Sequence, residues 1–204
     1  VQTCAFPISK AALRALCSQI GLTRLDHNLC ADPDGIAVLR VATRGRSQEY
    51  IPYTDRPIRW HTDGYYNAPA ERVRGFALHC VAPAAEGGAN SLLDPEIVYL
   101  LIRDREPRYV EALMHPAAMT IPENVEDGRV LRPARSGPVF SIEPPGDHLH
   151  LRYTARTRSI AWRDDAVTRE AVACLEETLA GAGEYVVHHR LGPGEGVLTN
   201  NVLH

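Results

Sequence analysis

Nine histidines stand in this chain of 204 residues, at positions 27, 61, 79, 115, 148, 150, 188, 189 and 204. One begins a His-x-Asp triplet, His61-Thr62-Asp63, within the run Arg59-Trp60-His61-Thr62-Asp63-Gly64. On an extended backbone, residues i and i+2 point to the same face. A neutral imidazole beside a carboxylate offers two ligands to a first-row divalent metal. A third ligand, usually another histidine, would complete a facial triad and leave positions open for substrate, cofactor or oxygen. The competing reading is a surface turn with a His–Asp hydrogen bond. His148-Leu149-His150 is a second same-face pair, but it follows the turn-forming Pro144-Pro145-Gly146-Asp147 and fits a strand start better. His188 and His189 point to opposite faces of a strand, so at most one could face a site.

These residues need elements to hold them. From Ser9 to Ile20 the apolar residues Ala12, Leu13, Leu16, Cys17 and Ile20 fall at helical spacing, with Gly21 as a stop. Gly35 to Val41 reads as a strand. Val73 to Val81 reads as another, with Phe76, Leu78 and Cys80 on one face. Glu86-Gly87-Gly88 is a turn before a short extended segment at Ser91 to Leu93. Pro95 to Leu113 looks helical, with Asp94 as its cap. From Met119 to Ser159, short extended runs are broken by Pro and Gly, as in hairpins. Asp164 to Ala180 is an amphipathic helix with Val167, Ala171, Cys174, Leu175 and Leu179 as its apolar stripe. Glu184 to His189 and Gly196 to Leu203 are two final strands. Many short strands with few helices point to a mainly β fold, a sandwich or barrel with flanking helices. No G-x-G-x-x-G and no Walker A sequence supports a nucleotide-binding α/β fold.

Composition narrows the class. Hydrophobic residues make up 45%, enough for a core, and the length fits one domain spanning 1–204. The 22 basic and 25 acidic residues give a net charge of -3, with no global field for nucleic acid or an anionic membrane. No apolar run reaches the ~18 to 20 residues of a membrane helix. No basic segment followed by an apolar run marks a signal peptide, although the first residue is Val1 rather than Met. Cys4, Cys17, Cys30, Cys80 and Cys174 are odd in number and dispersed. They read as free thiols of a reducing, cytoplasmic compartment. A homo-oligomer is allowed, and nothing in the sequence selects it.

Three blocks, taken in order, carry a family resemblance. The first is Trp60 to Gly64. The second is Leu78-His79-Cys80-Val81-Ala82-Pro83 through Gly87-Gly88-Ala89-Asn90-Ser91. The third is Gly192-Pro193-Gly194-Glu195 through Asn200-Asn201-Val202-Leu203-His204. From about Gly35 to the end the chain resembles the TauD/TfdA family of iron(II)- and 2-oxoglutarate-dependent dioxygenases. That family has an H-T-D, a strand, a P-x-x-x-G-G turn and a helix, then a late P-G-[DE] turn and a strand with N-x-x-[LV]-H. The middle, Leu151-Arg152-Tyr153-Thr154-Ala155-Arg156-Thr157-Arg158-Ser159, is similar to the γ-butyrobetaine and trimethyllysine hydroxylase branch, as is Leu78-His79-Cys80. The zinc-binding N-terminal domain of that branch is not seen here, and its substrate is not carried over.

The resemblance implies a double-stranded β-helix (jelly-roll) core. It implies His61, Asp63 and His204 as the ligands of Fe(II), with 2-oxoglutarate as co-substrate and O2 as oxidant. A small organic substrate would be hydroxylated, with release of succinate and CO2. Asn90 matches the position of a Thr or Asn that contacts 2-oxoglutarate. The retained carboxylate of Asp63 fits a hydroxylase, since related halogenases replace it with a small residue. The family also has an arginine about ten residues beyond the distal histidine, which holds the far carboxylate of 2-oxoglutarate. This chain stops at His204, so the resemblance implies a further C-terminal tail that carries this arginine, with an internal arginine as the alternative. Arg152, Arg156 and Arg158 are the internal candidates, because a guanidinium fork suits a carboxylate. Tyr65 and Tyr66, directly after the triplet, are candidate substrate contacts, or covers over the core edge. Two other readings are a metal-dependent cupin-like enzyme that does not use 2-oxoglutarate and a non-enzymatic small-molecule-binding jelly roll.

Overall fold

A computed structural model describes residues 9–26, 32–144, 146–156 and 160–204. Among these residues it has eleven short β-strands and four α-helices. They group into two compact units.

One unit takes the described part of Val1–Arg59 with Val73–Gly88 and Arg190–Asn200. Its helix α1 (Lys10–Gln19) is capped by Ser9, whose hydroxyl accepts from Ala12 N. Gly21 follows at φ +87, where the chain reverses. The strand expected over 35–41 does not form. Val38, Leu39 and Val41 are exposed there, and no described strand pairs with the segment. An apolar run becomes a strand only when a neighbour accepts its backbone bonds. The strand expected over 73–81 does form, as β1 (Phe76–His79). It pairs antiparallel with β11 (Gly196–Thr199), Phe76 opposite Thr199 and His79 opposite Gly196. A Cβ on Gly196 would stand 3.0 Å from the Leu78 carbonyl, so glycine permits this close approach.

The other unit takes Trp60–Arg72, Ala89–His189 and Asn201–His204. After the Gly87-Gly88 turn, with both glycines at positive φ, comes β2 (Ala89–Leu92), paired with β10 (Val187–Arg190). The helix expected over 95–113 is two helices, α2 (Pro95–Arg105) and α3 (Pro107–Leu113). Pro107 lacks an N–H and forces Glu106 out of helical geometry, to φ -160 and ψ 107. The Glu106 carboxylate then accepts from Arg108 N and caps the second helix. The hairpin region contains β3 (Met119–Ile121), β4 (Asn124–Glu126), β5 (Arg129–Arg132), β6 (Arg135–Gly137), β7 (Phe140–Glu143) and β8 (His148–Leu151). β4 pairs with β5, β7 with β8, and β6, β3 and β9 (Ala161–Trp162) form a three-stranded sheet.

Helix α4 (Ala166–Gly181) closes this unit. Asp165 accepts from Thr168 N at its start, and Ala171, Cys174, Leu175 and Leu179 are buried, as the stripe predicts. They meet Val98 and Ile102 of α2, Leu113 of α3, and Phe140, Leu151 and Tyr153 in one apolar cluster. That cluster is the floor on which the functional segments lie. Cys17, Cys80 and Cys174 are free thiols, and Cys4 and Cys30 lie outside the described residues.

Candidate metal centre

Residues 60–63 run extended between two partner segments. On one edge His61 N donates to His204 O (3.1 Å) and His204 N donates to His61 O (3.0 Å). On the other edge Thr62 N donates to Tyr153 O (3.0 Å) and Ala155 N to Trp60 O (2.8 Å), which sets His61 opposite Thr154. Beyond residues 202–204 lies the end of β2, where Leu93 and Leu203 exchange both backbone bonds. Side-chain alternation then sorts the residues. Thr62, Tyr153, Leu203 and Leu93 are all buried, and the last three belong to the apolar cluster. His61, Asp63 and His204 fall on the opposite face.

There the three side chains converge. His61 Nε2 lies 4.0 Å and His204 Nε2 3.9 Å from Asp63 Oδ1. The imidazole centroids are 4.2 Å apart, tilted by 49°. One ligand atom from each residue falls within 4.8 Å of the others, the one such group of three among the described residues. That spacing leaves room for an ion with bonds of ~2.1 Å. Two imidazoles and one carboxylate on a single face are the donor set of an open-sided iron(II) site, so these residues fit that metal. The Asp63 side chain is 48% exposed and the imidazoles are largely covered, so the carboxylate side stays approachable. His204 Nδ1 lies 3.0 Å from Val202 O. A carbonyl only accepts, so Nδ1 carries a proton, and in the neutral ring Nε2 offers its lone pair to a metal.

Asn201 is the functional residue that sequence reasoning passed over. It is buried, with φ +61. Its side-chain amide replaces a strand neighbour: Asp63 N donates to Oδ1 (2.8 Å), and Nδ2 donates to Asp63 O (3.0 Å). The ladder that pairs His61 with His204 is thus extended to Asp63 by a side chain. The sequence signal was an asparagine three residues before a ligand, a residue type that tolerates left-handed backbone. Asn201→Gly should lower stability by about 1–2 kcal/mol through the lost bonds. Asn201→Ala should cost roughly 1 kcal/mol more, because alanine also resists positive φ. Thermal unfolding of the two variants measures the difference.

The other predicted residues divide. Leu92 lies opposite His204 in register, so Asn90, two residues earlier on β2, shares the face of the triad. Its amide donates to His189 O at 3.4 Å. Tyr65 and Tyr66 follow Gly64 (φ +65) and meet edge to face, with centroids 5.1 Å apart. Both are half-buried and packed against the core cluster. His188 Nδ1 sits 3.0 Å from Ser91 Oγ, and neither it nor His148 joins the three-ligand group.

Arg152 is a correction. As a carboxylate clamp it would need to be exposed to its ligand. Instead its Nε donates to Tyr65 O (2.7 Å), Nη1 to Met119 O (3.1 Å) and Nη2 to Arg135 O (2.9 Å). The residue is buried, and burial followed by the charges of Arg72 and Arg132 holds its pKa down to about 10. Arg152 is a strut joining three backbone segments. A Cβ on Gly137 would stand 3.4 Å from its Nη1, so the small residue leaves space for the guanidinium. Arg158 lies outside the described residues.

Comparison with known proteins places this geometry. The family model for the taurine catabolism dioxygenase TauD, TfdA family matches residues 5–204. A uridine-5′-phosphate dioxygenase from an Amycolatopsis species is 30% identical over 146 residues, 70% of this chain and 50% of that protein. A Streptomyces uridine-5′-phosphate dioxygenase is 30% identical over 129 residues, 61% of this chain and 44% of that protein. The chain spans about half the length of the relatives it matches. Asparagine oxygenase, solved with Fe(II), hydroxyasparagine and succinate, has a similar fold, with TM-score 0.55 and 20% identity over 80% of this chain and 48% of that one. The non-heme iron oxygenase OrfP, solved with Fe and alpha-ketoglutaric acid, gives TM-score 0.51 and 17% identity over 78% of this chain and 47% of that one. With a mainly β fold and two histidines and an aspartate gathered on one face, the chain belongs to the TauD, TfdA family of dioxygenases.

Proposed function

We propose that this chain is the iron-binding part of an Fe(II)- and 2-oxoglutarate-dependent oxygenase that hydroxylates a small organic substrate and releases succinate and CO2. The observation that carries the reading is the convergence of His61, Asp63 and His204 on one face. In this reading the short sheets of 1–204 belong to one dioxygenase-type domain with a jelly-roll core. Iron, 2-oxoglutarate and O2, when bound, supply the oxidising chemistry. The chain supplies the geometry.

His61 and His204 would hold the metal through their Nε2 atoms, with the His204 ring oriented by its Nδ1 proton on Val202 O. Asp63 adds the negative charge that offsets a cation, and Asn201 fixes the backbone from which that charge projects. The buried threonine and leucine between the ligands keep water from the rear of the site. Asn90, on the same face, would meet the co-substrate. The triad supports this reading over a non-enzymatic jelly roll, and Asn90 supports it over a cupin-like enzyme that uses no keto acid.

The relatives named for uridine 5′-phosphate make that nucleotide the first substrate to assay. With Fe(II), 2-oxoglutarate and 18O2, the expected result is succinate carrying one labelled oxygen and a product heavier by one oxygen atom. No succinate from iron-loaded protein with any tested substrate would contradict the proposal.

A further inference from the structure

The face that carries the triad continues into a corner of positive charge. Because His61 lies opposite Thr154, Asp63 falls at the register position of Arg152. The Arg152 guanidinium reaches from there to Tyr65 O and Arg135 O. The charges of Arg72 and Arg132 act on it, and the charge of Arg135 acts on Arg132. Arg152 and Arg132 thus meet at the Tyr65–Tyr66 turn, the first bonded to Tyr65 O and the second facing the Tyr66 ring, and the Arg135 backbone accepts from Arg152.

Their partners are unequal. Arg72 pairs with Glu143. Among the described residues, Arg132, Arg135 and Arg152 have no carboxylate partner. Arg132 donates from Nη1 to Pro133 O (3.0 Å) and from Nη2 to Pro122 O (2.6 Å). Those carbonyls hold its plane with the central carbon 5.9 Å from the Tyr66 ring centroid. Carbonyl bonds orient a guanidinium without neutralising it. Like charges crowded at partial burial repel, and a bound anion relieves that repulsion. Arg132 and Arg135 are half-exposed, so an anion can reach them, whereas Arg152 is buried behind.

We propose that Arg132 and Arg135, backed by Arg152 and flanked by Tyr66, form a subsite for the phosphate group of the substrate, beside the carboxylate ligand of the metal. The inference deepens the oxygenase reading and rests on it. A multiply charged oxyanion suits three cations without carboxylate partners better than a single carboxylate does, and guanidinium forks match its geometry. The aromatic edge gives the rest of a phosphate ester an apolar neighbour.

Titration calorimetry of the full chain, with inorganic phosphate and with uridine 5′-phosphate, tests the subsite. In separate titrations 2-oxoglutarate is added to the Fe(II)-loaded protein without oxygen. The expected result is that both phosphate probes bind the wild type and that the double variant R132Q/R135Q weakens them at least tenfold. Affinity for 2-oxoglutarate should stay within twofold. R129Q removes an exposed charge from the other end of the same strand and should change phosphate binding less than twofold. R132K keeps the charge but loses the fork, and should weaken binding by an intermediate factor even if the double variant unfolds. Failure of phosphate to bind the wild type would overturn the subsite, as would equal losses in R129Q or unchanged binding in R132Q/R135Q. A parallel fall in 2-oxoglutarate affinity would also overturn it, by giving the corner to the co-substrate. Failure of Fe(II) and 2-oxoglutarate to bind at all would instead defeat the oxygenase reading, whatever the phosphate titration shows.

Discussion

Asp63→Ala is expected to lower Fe(II) affinity at least 100-fold and to abolish formation of succinate, while the protein still folds. The first half follows from the donor set. Removing one of three ligands leaves two neutral imidazoles to hold a dication, and the loss of an anionic donor is larger than the loss of a neutral one. The second half follows from location. The Asp63 side chain is nearly half-exposed, and its backbone, not its carboxylate, is what Asn201 holds. Alanine keeps those backbone bonds. Circular dichroism and thermal unfolding should therefore match the metal-free wild type, and equilibrium dialysis should show the lost metal. Retained succinate formation by folded D63A would remove Asp63 from the ligand set.

Arg152→Met makes the opposite prediction, a loss of fold before any loss specific to chemistry. Methionine matches much of the volume but none of the donors. Three backbone carbonyls, those of Tyr65, Met119 and Arg135, would lose their partner in a buried corner. Each orphaned buried acceptor costs about 1–3 kcal/mol, less where water reaches it. The charge it removes was itself expensive to bury, as the lowered pKa indicates, which offsets part of the loss. The net expectation is about 3 kcal/mol, or a fall of roughly 10 °C in melting temperature for a chain of this size. Arg152→Lys should recover little, since one ammonium cannot span three carbonyls in a plane. A melting temperature unchanged in R152M would show that the strut carries no load.

These two residues mark where the sequence was readable. His61 and Asp63 were legible because the period of an extended chain is local: two positions apart is one face, whatever lies around. His204 is 141 positions from Asp63 and became a ligand candidate only through family resemblance, since no local rule brings it near. Arg152 was misread because a guanidinium fits a substrate carboxylate and backbone carbonyls equally well, and burial decides between them. Asn201 was hidden because its role requires a left-handed backbone and a strand ladder that ends one residue early. The run 35–41 has the right composition for a strand, but no described strand pairs with it. The break at Pro107 was written plainly in the sequence, where proline after glutamate ends one helix and starts another. Local period and cap chemistry were therefore recoverable, whereas contacts between distant segments were not.

The central claim is that His61, Asp63 and His204 hold one Fe(II) in a form that accepts 2-oxoglutarate. Anaerobic titration of the metal-free protein with Fe(II) in the presence of 2-oxoglutarate tests it most directly. The predicted result is a weak visible charge-transfer band at about 500 nm that saturates at one iron per chain, from the cofactor's own chelate chemistry. The band should be absent from D63A under the same conditions. A folded wild-type protein that shows no band, or a band of equal strength in D63A, would contradict the claim.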